Sequence, residues 1–133
     1  MRTLIAVAAL SLALTGFAIA PASAQVAERE AVLLACGGAT ADATSCDIAV
    51  AAFVAVVRGL PAAEKDALLA DLVIALANTG APGGQDIAAA AIRSVATEFT
   101  DTNRAAAAVQ VALAVETGTA PEQLSVQALS SPS

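Results

Sequence analysis

An all-α fold is what this 133-residue sequence predicts: a small alanine-rich bundle, or a very short solenoid, of five to six helices in successive antiparallel hairpins. Apolar residues recur at helical spacing, with Leu68, Leu69, Leu72, Val73 and Leu76 on one face opposite Glu64, Lys65 and Asp71. Much of the 58% apolar fraction is alanine, the residue with the highest helix propensity. Strand-like alternation is nearly absent. The valine-rich run 54–57 comes nearest, and its alanine flanks favour helix.

The same composition predicts a thin core. Aromatics make up 2% of the chain, and tryptophan and tyrosine are missing. A fully buried Leu or Phe contributes roughly 1.5–3 kcal/mol and an alanine far less. Stability must therefore lean on propensity, close helix packing and a covalent staple.

In chain order, the first segment reads as an address. Arg2 supplies a positive start, residues 4–20 are apolar, Pro21 breaks the helix, and Ala22-Ser23-Ala24 gives the small-x-small pattern of a signal peptidase site. Residues 1–24 are expected to be cleaved as a Sec-type signal peptide with Ala22 and Ala24 as the recognition pair, so that the mature chain begins at Gln25 and is periplasmic or secreted by a bacterium. An uncleaved anchor is disfavoured because seventeen apolar residues sit at the short limit for spanning. Leu33-Leu34-Ala35-Cys36 looks like a lipobox, but Glu28, Arg29 and Glu30 deny it the preceding apolar stretch.

Residues 25–129 then form one all-α domain. A helix starting near Ala27 stops at Gly37-Gly38. The next begins at Asp47 with Ser45 as a candidate N-cap, and residues 47–57 are apolar almost all round, which predicts a central, buried helix. Pro61 suits the first turn of a third helix, which Asn78-Thr79-Gly80 and Pro82 end. Asp86 is a candidate cap for a fourth, with Ala88, Ile92, Val95 and Phe99 as its stripe. A fifth starts near Thr102. Thr119 and Glu122 have capping-box spacing for a short last helix, and residues 130–133 should fray.

Internal similarity organises these elements. The run from Asp47-Ile48 recurs at Asp86-Ile87, an offset of 39 that also pairs Lys65 with Arg104 and Ala81-Pro82 with Ala120-Pro121. Ala27-Glu28-Arg29-Glu30 parallels Ala63-Glu64-Lys65-Asp66 at an offset of 36. Helical hairpin repeats at 27–58, 63–99 and 102–129 are the expectation.

Export governs the reading of Cys36 and Cys46. Two cysteines in an oxidising compartment predict one structural disulfide, here closing the loop between the first two helices. Their nine-residue spacing differs from the Cys-x-x-Cys of redox pairs, and two cysteines without histidine cannot complete a usual zinc site.

Catalytic chemistry finds little to work with. The chain has no histidine, which removes the commonest general base, metal ligand and nucleophile partner. Its single lysine, Lys65, lies among acids on a polar face. Glu28 and Glu30, and likewise Asp66 and Asp71, are spaced to diverge on a helix. Asp42 and Asp47 flank a polar loop that lacks the EF-hand pattern, and Gly37-Gly38 and Gly83-Gly84 lack the context of a phosphate loop. Neither a cofactor nor a metal is predicted.

The formal charge of −6 becomes −7 once Arg2 is removed, and the remaining bases are scattered singly, which excludes nucleic acid as a partner. The expectation is therefore a non-enzymatic helical module of the cell envelope or secretome that binds or scaffolds another envelope or secreted protein, with no stable membrane insertion of the mature chain. Residues 47–57 are its expected contact. The alternatives are a carrier of a small apolar ligand between helices and, more remotely, an enzyme using carboxylates.

Overall fold

A computed structural model describes residues 22–38, 40–79 and 83–130, which form an all-α bundle of six helices without strands. They are α1 (Ala22–Gly37), α2 (Ala43–Val57), α3 (Ala62–Thr79), α4 (Gln85–Ala96), α5 (Thr102–Thr117) and α6 (Gln123–Ser130). The expected signal segment up to Pro21, the stop residues Gly80 and Pro82, and tail residues 131–133 lie outside the described residues. Ala22 and Ala24, the expected recognition pair, fall in the first turn of α1.

Local chemistry sets most helix ends. Asp42, in extended geometry, caps α2 by accepting the Ser45 N–H on Oδ2 at 2.9 Å. Helix α2 thus starts four residues before the expected Asp47, and Ser45 lies inside it as donor to the cap. Asp101 caps α5 by accepting the N–H groups of Asn103 and Arg104 at 2.9 and 3.4 Å. Pro61 precedes α3, and its carbonyl accepts the Lys65 N–H. Asp86 is not a cap: Gly84 holds that position, and Asp86 sits in the first turn, where its negative charge meets the positive end of the helix dipole favourably.

The expected capping box at Thr119 and Glu122 does not form. Gly118 ends α5 with φ of +75°, a left-handed geometry that disfavours a side chain. The Gly118 N–H donates to Val115 and the Thr119 N–H to Ala114, the two bonds of a Schellman motif. The Thr119 hydroxyl also donates to the Ala114 carbonyl. Thr119 therefore serves the end of α5 and leaves α6 to start from the Glu122 carbonyl, which accepts from Ser125 and Val126.

Two alanine faces make the most extensive contact in the bundle. Ala88, Ala89, Ile92, Val95 and Ala96 of α4 are buried, as are Ala107, Ala108, Val111, Ala112 and Val115 of α5. Both sets follow the i, i+3, i+4, i+7 rule, and small side chains let the two backbones approach closely. Helix α1 packs along α2 and also meets α3 and α4, while α3 meets α5 and α6. Leu69, Leu72 and Leu76 of α3, with Phe53, Ile92 and Leu129, fill the space between helices. The offset of 39 superposes core on core, pairing Phe53 with Ile92, Leu69 with Ala108, Leu72 with Val111 and Leu76 with Val115, all buried.

Helix α2 is not buried all round. Val50, Phe53, Val54 and Val57 face the core, whereas Ile48 is 67% exposed and Ala51 and Ala55 are exposed. Packing on α1 and α4 covers one side, and nothing among the described residues covers the other.

Candidate functional site

Cys36 and Cys46 are bonded, with their Cα atoms 4.7 Å apart and both residues buried. Cys36 lies in the last turn of α1 and Cys46 in the first turn of α2, so the bond closes the turn between two packed helices. Around it the Asp42 N–H donates to the Ala35 carbonyl and Ala41 to Gly38. Asp42 is occupied as a cap and Asp47 is exposed on α2, so the two do not converge on a loop site.

The carboxylates are separated by the fold. Asp71 is paired with Arg29 at 3.2 Å, which ties α3 to α1. Asp66, five residues earlier, is buried and accepts two main-chain N–H groups, from Thr100 on Oδ1 and Asp101 on Oδ2, both at 2.9 Å. It thereby holds the turn between α4 and α5 against α3. The polar-face reading places Asp66 with Glu64 and Lys65. The spacing nonetheless carried the signal for burial, because Asp66, Leu69, Val73 and Leu76 lie on one stripe. Arg104 was equally legible, in line with Ala108, Val111 and Val115. It is buried, and its Nε has no hydrogen-bond partner.

Two ion-pair forks brace the outside. Arg58, which caps the C-terminus of α2, contacts Glu98 at 2.9 and 3.1 Å; Arg93 of α4 contacts Glu116 of α5 at 2.8 and 3.3 Å. The Arg58 hydrogen bond holds the Glu98 carboxyl below its ordinary range, against a smaller opposing effect of burial. Arg93 acts on Glu116 in the same direction, first through its hydrogen bond and then through its charge.

Open clefts lie between the helices. One of about 550 Å³ runs between α2 and α4, lined by Val50, Val54 and Ser94 and bordered by the Arg58 and Glu98 fork. A second, of about 560 Å³, lies at the N-terminal ends of α3 and α5 and is bordered by Asp66, Asp101 and Arg104. A third, of about 480 Å³, lies between α5 and α6 beneath Leu124, with Ala106, Ala107 and Ala128 as apolar walls and Gln110 at its edge. Also on α5, Val109 and Leu113 stand one turn apart, 43% and 49% exposed, and Leu124 on α6 is 77% exposed. Helices α5 and α6 together thus carry three exposed large aliphatic side chains.

Among the described residues no group of three or more His, Cys, Asp or Glu side chains could hold a metal ion, and no helix is long and apolar enough to cross a membrane. Asp66 and Asp101, two acids that border one cleft, are already engaged by main-chain donors. No protein-family model, characterised protein or solved structure matches this chain.

Proposed function

We propose that this chain is an exported, non-enzymatic helical module of the bacterial cell envelope or secretome, and that it binds a protein partner through the exposed aliphatics of α5 and α6. The observation that carries the reading is a set of three exposed aliphatics on two packed helices, Val109 and Leu113 one turn apart on α5 and Leu124 on the cleft wall of α6. Single exposed aliphatics are ordinary on protein surfaces, whereas several on two adjoining helices are a feature of interfaces. This moves the contact away from residues 47–57, where Ile48 alone is a large exposed apolar side chain. Export is supported by the leader pattern ending at Ala24 and agrees with a disulfide between buried cysteines.

Site-specific photocrosslinking in the host tests it. A crosslinker at Leu113 or Leu124 is expected to trap one protein species that a crosslinker at exposed Glu64 does not. Equal labelling from all three positions would remove these aliphatics as an interface. N-terminal sequencing tests the address: a mature product starting at Gln25 is expected, and recovery of the intact chain from the cytoplasm alone would refute export.

A carrier of a small apolar ligand is the second reading, favoured by the alanine walls of the α5 and α6 cleft. Native mass spectrometry separates the two, since a carrier retains a ligand of defined mass and a protein-binding module does not.

A further inference from the structure

Arg104 is a buried cation: it is 6% exposed, and its Nε is enclosed without a hydrogen-bond partner. A guanidinium does not lose its proton in a protein, so it cannot escape burial by becoming neutral. Burial of such a charge is costly unless an acceptor meets it.

The cleft that Arg104 borders offers further donors. Ala62 and Ala63 line it and begin the 18-residue α3. Their N–H groups precede the first intrahelical bond and have no partner within the helix. Pro61, the residue before them, has no side-chain acceptor to cap them, and its carbonyl is taken by the Lys65 N–H.

Two carboxylates, Asp66 and Asp101, also border the cleft. Asp66 accepts from the Thr100 and Asp101 N–H groups, and Asp101 from those of Asn103 and Arg104. With Arg104 the three side chains sum to one negative charge, set against about +0.5 from each of the two helix starts. Those charges nearly cancel, and the Arg104 Nε and the N–H groups of Ala62 and Ala63 are donors without a partner in the fold's own helices.

We propose that this cleft binds a small oxyanion, a carboxylate or phosphate group, held by the Arg104 guanidinium and by the N–H groups that open α3. This binding is independent of the exposed aliphatics on α5 and α6. Arg104 also borders a smaller cavity of about 190 Å³ with Leu129 and Ser130, but Asp71 there already pairs with Arg29. The larger cleft is the one that adds the N–H groups opening α3.

The test is a titration of the oxidised full chain, labelled with 15N, against sodium acetate and against inorganic phosphate, with ionic strength held constant by sodium chloride. Saturable shifts of the Ala62 and Ala63 amides and of the Arg104 Nε–H are expected with at least one anion. A response to acetate alone assigns a carboxylate ligand, to phosphate alone a phosphate, and to both the shared oxyanion. Arg104→Met, which keeps an apolar stem, should weaken binding at least tenfold. Ala63→Asp, an exposed change that places a carboxylate at the cleft, should do the same even if the Met variant fails to fold. Absence of saturation with both anions, unchanged affinity in the folded variants, or shifts at Leu129 and Ser130 in place of Ala62 and Ala63 would overturn the proposal.

Discussion

Arg58 and Glu98 stand 40 residues apart in the chain and meet as a two-pronged fork, Nε to Oε1 at 3.1 Å and Nη2 to Oε2 at 2.9 Å. The fork joins the C-terminal cap of α2 to the turn that follows α4. A planar guanidinium matches a carboxylate in this geometry in a way that a lysine would not.

The fork makes stability depend on acid. Glu98 is held below its ordinary value of 4.5, first by the Arg58 hydrogen bond, with burial opposing and the charges of Arg58 and Lys65 adding. A carboxyl with a folded-state pKa below the unfolded one stabilises the fold above the unfolded value, and the benefit is lost as pH falls through the folded value. The melting temperature is expected to drop between about pH 5 and pH 3, and Glu98→Gln should flatten that slope. The effect should be modest and salt-sensitive, since both partners reach solvent. An NMR titration midpoint for Glu98 above 4.5 would contradict the assignment.

Removal of the covalent staple should cost more. Cys36 and Cys46 are 10 apart in sequence, and closing so short a loop stabilises by roughly 2–3 kcal/mol in the chain-entropy model. The Cys36→Ala, Cys46→Ala double variant is expected to lose that amount in urea denaturation, with some added loss from the space left by two buried sulfurs. A variant as stable as the parent would mean that the bond does not constrain the unfolded chain.

Asp66 acts at a distance of 34 and 35 residues, on the Thr100 and Asp101 N–H groups. Asp66→Ala removes a charged acceptor from both donors and should destabilise by about 2 kcal/mol. Asp66→Asn retains one acceptor and should cost about half as much. Hydrogen exchange at Thr100 and Asp101 locates the effect: both amides should exchange faster in the Ala variant, and unchanged protection there would remove Asp66 as their anchor.

The one-sided burial of α2 separates two substitutions on the same helix. Phe53→Ala should cost about 3–5 kcal/mol, because it empties a fully enclosed site. Ile48→Ala should change stability by less than about 0.5 kcal/mol, because the side chain already meets water. Equal losses would restore the picture of a helix buried on every side.

The exposed aliphatics of α5 and α6 and the surroundings of Arg104 leave little trace in the sequence, for different reasons. Val109, Leu113 and Leu124 look like ordinary core residues in an apolar chain, and nothing local marks which aliphatics a thin core leaves over. Asp66 and Arg104 were visible as charges on apolar stripes, but their donors and cavities come from other helices.

What the sequence by itself determined was the set of signals that act within a few residues. Helical period, alanine propensity, the stop at Gly37-Gly38 and the pairing of two cysteines across a short loop all lie within reach of the local chain. The tertiary structure alone decided which face of α2 is covered, that Thr119 serves α5 and not α6, and which charges are enclosed. A helix apolar on every side has no internal preference for the face it buries, so α1 and α4 choose it. The partners of Asp66, Arg58 and Arg93 lie 23–40 residues away, and only the packing of six helices brings them within hydrogen-bond reach.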